Sequence, residues 1–288
     1  MPQTEGTGLF QFLKWGTESL NGATGLVTGG TLSINPQPRT RLGIGGLAQR
    51  RGGLIVAGGS AEMYLSATNA DLIAAAFRAS YPRGALTELL IEGGADAWSV
   101  SYETAVIQTL GIEYSQDEGL RTNIEWGALF PEETTGSTQA AEANTNFEDY
   151  EFVITFEEEE YGVTDFSVSL NNNVTWRTDA DTKDSGKLRL PTHYIYGVES
   201  CEISLTTNRP IPESVLLALA DCQPNDLEAF LTGTNCAGDV VELELTNLIA
   251  GENTHGFVDP NTAMQWAYNF EGSPAGSVGF TFTRGGYS

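Results

Sequence analysis

Residues 98–129 read WSVSYETAVIQTLGIEYSQDEGLRTNIEWGAL, and this stretch decides the fold class. It contains three runs rich in β-branched and aromatic residues: Trp98–Ile107, Gly111–Ser115 and Leu120–Leu129. Apolar and polar residues alternate in much of each run, and Gly or an Asp-Glu pair stands between runs, as in strands joined by turns. The stretch therefore predicts consecutive antiparallel strands.

Similar runs occur on both sides of this stretch. Strands are predicted over Thr31–Asn35, Ala61–Ser66, Leu86–Glu92, Tyr150–Phe156, Val163–Leu170, Tyr194–Thr206, Val240–Leu248, Met264–Phe270 and Ser277–Thr283. Two short helices are predicted, DLIAAAFRAS (71–80) after the N-cap residue Asn69, and Glu213–Ala220. The chain is therefore expected to be mainly β, with two packed antiparallel sheets (a sandwich or barrel) and one or two short flanking helices.

The domain organisation follows from shifts in composition. Residues 1–53 are largely Gly-, Thr- and Pro-rich and are predicted to form an extended N-terminal arm, and residues 54–288 the β domain. The polar stretch 131–149 is predicted to be a long loop. Strand, helix, acidic strand and Trp-containing strand follow one another in the same order in 54–130 and in 150–284, which suggests two pseudo-repeats joined by that loop.

Charge limits the possible functions. The 288 residues include 38 acidic and 14 basic ones, for a net charge of −24, which argues against a protein that grips DNA or anionic lipid. No signal peptide is expected, and three cysteines are too few for a disulfide framework. Only Lys14, Lys183 and Lys187 are lysines, as in proteins kept soluble in concentrated salt; a merely acidic mesophilic protein is the alternative.

Motifs for catalysis or for cofactors are not recognised. His193 and His255 are predicted to lie in different loops, without metal-ligand spacing. Lys187 is followed by Leu188, which excludes a P-loop, and the run Glu157–Glu160 is expected to be a solvated turn. The chain is therefore predicted not to be an enzyme, with no cofactor and no metal.

Five segments together resemble the tail tube proteins (major tail proteins) of tailed viruses of bacteria and archaea. They are KWGTES (14–19), GSAEMYLSATNADLIAAAF (59–77), the stretch 98–129, VTDFSVSLNNNVTWR (163–177) and YGVESCEISLTTNRP (196–210). In order and character they are similar to the opening, the strand-then-helix segment, the paired long strands, the strand and Asn turn, and the strand before the second helix of that family.

The resemblance implies a structural virion protein, made in the host cytoplasm and located in the tail. Six copies would form a ring, or three if each half is a full tube unit, and stacked rings would form a hollow tube that passes the genome. The partners implied are further copies of the chain and the tape-measure, tail terminator and tip or baseplate proteins. DNA would pass without specific binding, and no membrane would be involved.

Contacts between copies are predicted in the two segments least suited to a core, 16–53 and 131–149. Residues 1–51 carry two acids and five bases, so this region is complementary to the acidic remainder. Arg39, Arg41, Arg50 and Arg51 are predicted to pair with carboxylates of a neighbouring copy. Glu132 and Glu133 are the contact residues predicted in the second segment.

Two alternatives belong to other functional classes. A secreted or surface β-sandwich could bind carbohydrate or a receptor through exposed aromatic residues near Trp15, Trp126 and Trp176. A different virion part, such as a decoration or tail-completion protein, would have a similar composition. Self-polymerisation would distinguish the tube protein from both.

Overall fold

The computed structural model describes residues 11–15, 18–19, 27–34, 37–40, 47–51, 55–64, 85–93, 98–128, 132–135, 150–156, 158–177, 193–214, 229–236, 238–245, 248–250, 254–256, 265–272 and 278–283. The strands of the first half are β1 (Gln11–Trp15), β2 (Glu18–Ser19), β3 (Val27–Ile34), β4 (Gln37–Thr40), β5 (Leu47–Arg51), β6 (Ile55–Tyr64), β7 (Ala85–Gly93), β8 (Trp98–Ser115), β9 (Gly119–Ala128) and β10 (Glu132–Thr135). Those of the second half are β11 (Tyr150–Phe156), β12 (Glu159–Asn171), β13 (Val174–Arg177), β14 (His193–Tyr196), β15 (Ser200–Thr207), β16 (Ala229–Asn235), β17 (Val240–Leu245), β18 (Leu248–Ala250), β19 (Thr254–Gly256), β20 (Gln265–Gly272) and β21 (Val278–Thr283).

A long hairpin lies at the centre of the sheet. The 18-residue strand β8 pairs along one edge with β9 and then with β10. β10 continues the register of β9, since Ala128 lies opposite Ala105 and Glu132, four residues later, lies opposite Ser101. The two runs predicted over 98–107 and 111–115 are therefore one strand. A shift in register between Ile107 and Thr109 interrupts the alternation there, as a β-bulge does, which explains why the sequence suggests two strands.

The other edge of β8 joins the two halves of the chain. It pairs with β7 over Trp98–Val106 and with β12 over Thr109–Ser115. β12 in turn pairs with β15 from Val163 to Asn171 and with β11 from Glu159 to Val163. One antiparallel sheet thus contains strands of both predicted pseudo-repeats, whose duplication stays a prediction.

The sheet curls into two packed layers in the second half. From β11, one series of paired strands runs through β12, β15 and β20 to β18. On its other edge β11 pairs with β16, and β16 pairs with β17. Only two residues separate β17 from β18, so the two series meet again there. Rings from different strands meet inside: Phe156 of β11 and Phe270 of β20 have centroids 6.4 Å apart, and Phe152 of β11 and Phe166 of β12 4.8 Å apart. The prediction of a mainly β fold with packed antiparallel layers is confirmed.

The helices, by contrast, fall outside the residues that the structure describes. Residues 71–80 are not described, and of the helix expected at Glu213–Ala220 only 213 and 214 are. Within the described part of the chain, no helix is long and apolar enough to cross a membrane.

Some strands were not expected from the sequence. Segment 16–53 contains β3 near the expected position and also the hairpin β4–β5, and residues 132–135 of the predicted loop form β10. The strand β16 was missed because AFLTGTN offers few large side chains. Gly233 of this strand lies beneath the ring of Phe152. A Cβ at position 233 would stand only 2.3 Å from that ring, so glycine makes room for a core residue of the paired strand β11.

Two tyrosines of the core should make the free energy of unfolding vary with pH in the alkaline range. Tyr161 donates to Glu159 Oε2 at 3.0 Å, and the Ile211 N–H donates to Tyr268 Oη at 2.9 Å. Burial raises the pKa of both phenols above the ordinary value of 10.0. Above about pH 10 the unfolded chain therefore releases protons that the folded chain keeps, and the free energy of unfolding falls as pH rises.

We expect the free energy of unfolding, measured in urea, to decline above about pH 10 by up to ~1.4 kcal/mol per pH unit for each of these two tyrosines. Tyr268→Phe should be less stable at pH 8, because it lacks the acceptor for Ile211, yet should lose less between pH 8 and 11. Equal losses in both proteins would contradict the role of Tyr268.

Candidate functional site

One face of the large sheet is polar over six neighbouring strands. The strands β6, β9, β8, β12, β15 and β20 lie side by side in this order, and each turns alternate residues outward. We call this surface the polar face; its outward residues are Ser60, Glu62, Arg121, Asn123, Glu125, Thr109, Glu113, Ser115, Asp165, Ser167, Ser169, Asn171, Glu202, Ser204, Thr206, Asn269 and Glu271.

Strand registers align these side chains in rows. Ser167 stands opposite Glu113 on one side and Ser204 on the other, and Ser204 opposite Asn269. In the next row Ser169 stands opposite Gly111 and Glu202. The opposite side of the same strands, including Ile112, Val168 and Ile203, is buried in the core, so the alternation that builds the core also fixes the polar face.

Carboxylates dominate the charge of the polar face. Six of its residues are acidic and one, Arg121, is basic. The guanidinium lies 3.5 Å from the carboxylate of Glu62 and 3.4 Å from that of Glu118 at the β8–β9 turn. The single cation is thus held by acids, and the face as a whole presents negative charge.

The remaining side chains are Ser, Thr and Asn, and two of them donate hydrogen bonds to carboxylates of the face. Thr109 Oγ1 donates to Glu125 Oε2 at 3.0 Å, and Asn123 Nδ2 to Glu113 Oε1 at 3.4 Å. Asn123 lies over Gly111, where a Cβ would come within 2.1 Å of its Oδ1. These contacts hold polar groups flat against the strands and give a surface of hydroxyl, amide and carboxylate groups.

An open groove of about 250 Å³ crosses the polar face near the β8–β9 turn. Its lining includes Glu113, Asp165, Ser167 and Ser204. Among the described residues, no group of three His, Cys, Asp or Glu side chains could hold a metal ion. The groove is an open hydrophilic depression in the polar face.

The contact residues predicted from the sequence lie elsewhere. Arg39 is in β4, and Arg50 and Arg51 are in β5, with which β4 forms a separate two-stranded sheet. Glu132 and Glu133 are in β10, opposite Ser101 and Val100 at an edge of β8. Arg41 lies outside the described residues, and the role of all six in contacts between copies stays a prediction.

The alternative of a binding site built on exposed aromatic residues near Trp15, Trp126 and Trp176 loses support at two of these positions. Trp126 is 1% exposed, because the alternation of β9 turns it inward, and Trp176 is 8% exposed. Trp176 packs on Gly127, where a Cβ would stand 2.7 Å from its ring. The side chain of Trp15 is outside the described residues. Trp126 and Trp176 therefore expose too little ring surface to form a carbohydrate site.

Sequence reasoning did not find the polar face. Its signal was present, since SVSLN (167–171) and EISLT (202–206) alternate small or acidic residues with apolar ones. Comparison with protein-family models found no match to this chain, and neither did a search of curated proteins.

Proposed function

We propose that this chain is a tail tube protein of a tailed virus. Copies of it assemble into rings, of six or of three subunits, and the rings stack into a hollow tube through which the genome passes. The polar face lines the channel. The chain is then a virion protein made in the host cytoplasm, with the tape-measure, terminator and tip proteins as its other partners.

The negative charge and the side-chain composition of the polar face are the main support for this proposal. Duplex DNA has one negative charge for about every 1.7 Å of its axis, so a wall with six acids and one arginine per subunit repels it. At physiological ionic strength the repulsion reaches about 8 Å, and in 1 M salt only about 3 Å. Apart from the carboxylates and Arg121, the face carries only Ser, Thr and Asn side chains, so it offers the passing duplex no cluster of cations to bind.

The strand architecture gives a second line of support. Of the strands that the structure describes, β3 pairs with β6 alone and β21 with β17 alone, so each has one edge without a partner among them. Such edges are suited to strand addition, which joins subunits by main-chain hydrogen bonds. The long β8–β9 hairpin also agrees with the paired long strands on which the family resemblance rests.

Negative-stain microscopy of the purified protein at low and high salt tests the proposal. Rings or hollow striated tubes are the expected result, and their end views give the number of subunits. Monodisperse monomers under every condition would contradict it and favour another virion part or a surface-binding β-protein.

A further inference from the structure

The hairpin ribbon β13–β14 has two different faces. Trp176, Tyr194 and Tyr196 form a ladder of T-shaped ring contacts, at 5.5 and 5.4 Å, on the face where Trp176 packs against the large sheet. The other face, which we call the ribbon face, consists of Thr175, Arg177, His193, Ile195 and the adjoining Val198, all exposed.

Large apolar side chains are exposed at two positions of the ribbon face. Ile195 is 50% and Val198 87% exposed, and they are the exposed large hydrophobic residues of the described part of the chain. Every other large apolar side chain described there is at least half-buried, so this pair stands out as a contact point for another molecule.

Val198 is presented by a fixed backbone. The Gly197 N–H donates to the Asn173 carbonyl at 3.0 Å, and Asn173 Nδ2 donates to the Val198 carbonyl. Gly197 is required there because a Cβ would lie 2.8 Å from the Asn173 carbonyl oxygen. A contact point that is already ordered loses little conformational entropy on binding.

Charge indicates which partner fits. Residues 145–288 hold 23 acids and six bases, for a net charge of −17. The described residues of the ribbon, 174–177 and 193–198, include the base Arg177 and no acid. The ribbon is thus complementary to the acidic surface of another copy of the same chain.

The outer face of β11, β16 and β17 has matching chemistry. Phe230 and Val153 are half-buried there, and by strand register Glu244 stands beside Phe230 and Glu242 beside Thr232. This surface, which we call the receiving face, offers apolar area for Ile195 and Val198 and carboxylates for Arg177. It lies on a different layer from the polar face, so both could be used at once.

We propose that the ribbon face of one copy docks on the receiving face of a neighbouring copy. This contact rests on the proposed self-assembly and specifies one of its interfaces. It is heterologous, because the two surfaces differ, and a repeated heterologous contact generates a closed ring or a stacked filament.

The double variant Ile195→Ser/Val198→Ser tests the contact by sedimentation velocity and negative-stain microscopy beside the wild-type chain. Loss of two buried aliphatic side chains should weaken association by at least about tenfold at low and at high salt. The matched control, Asp117→Ser/Glu213→Ser, changes two exposed residues outside both faces and should assemble as the wild type does. Circular dichroism and the melting temperature verify that each variant is folded.

A charge exchange identifies the receiving face. Arg177→Glu should weaken assembly more at low salt than in 1 M salt, and adding Glu244→Arg should restore it.

If the wild type assembles and the Ile195/Val198 variant assembles equally well, the ribbon contact is wrong while the tube proposal stands. A wild type that stays monomeric overturns both, and a charge exchange that restores nothing overturns the assignment of the receiving face.

Discussion

Phe152→Ala should reduce the free energy of unfolding by about 3–5 kcal/mol, the usual cost of removing a buried aromatic ring. Phe152 is 3% exposed, and its ring centroid lies 4.6 Å from that of Tyr114 and 4.8 Å from that of Phe166. These three residues belong to β11, β8 and β12, so their cluster links three strands and both halves of the chain. Urea unfolding measures the change, and Glu151→Ala, at the exposed neighbouring position, should stay within about 0.5 kcal/mol of the wild type.

The partner glycine provides an independent check. Gly233→Val alone should destabilise the chain, because the new Cβ meets the ring of Phe152. In the Phe152→Ala background the same substitution fills part of the cavity and should restore stability. Additive effects of the two changes would show that the ring and Gly233 do not share this space.

Assembly should remove the polar face from the reach of large reagents. In a variant with Cys222→Ser and Cys236→Ser, a cysteine introduced by Ser204→Cys stands in the middle of that face. Both a small maleimide and a maleimide on a long polyethylene glycol chain should react with dissociated subunits. After assembly the small reagent should still react through the open channel, whereas the long one should not.

Mass spectrometry of the labelled protein measures both reactions. The small reagent and the dissociated subunits serve as controls for the chemical reactivity of the new cysteine. Equal labelling of tubes and subunits by the long reagent would place the polar face on the outside of the tube and contradict its assignment to the channel.

Most of the strands could be predicted because their alternation is regular. The run Tyr150–Phe156 was predicted with the bounds that β11 has, and Leu120–Leu129 matches β9 within one residue at each end. The turn at Asn171–Asn173 was also expected, and the structure forms it with Asn173 at φ 46° and its N–H donating to Asn171 Oδ1 at 2.8 Å.

What could not be predicted depends on partners distant in the sequence. β16 is held by Phe152 of β11 over Gly233, and nothing within AFLTGTN indicates that neighbour. The polar face depends on registers that align β8, β12 and β15, which a single sequence does not give. The burial of Trp126 and Trp176 could not be predicted, because composition alone does not tell which side of a strand faces the core.

The position of β8 between strands from both halves also bears on how the chain folds. Leu110 pairs with Leu170, and Leu170 in turn with Cys201, so contacts far apart in the sequence must form together. Folds rich in such contacts form slowly. During synthesis β8 emerges well before β12, and its exposed edge is open to wrong pairing until that strand arrives. We therefore expect the newly made chain to depend on chaperones until its second half has been synthesised.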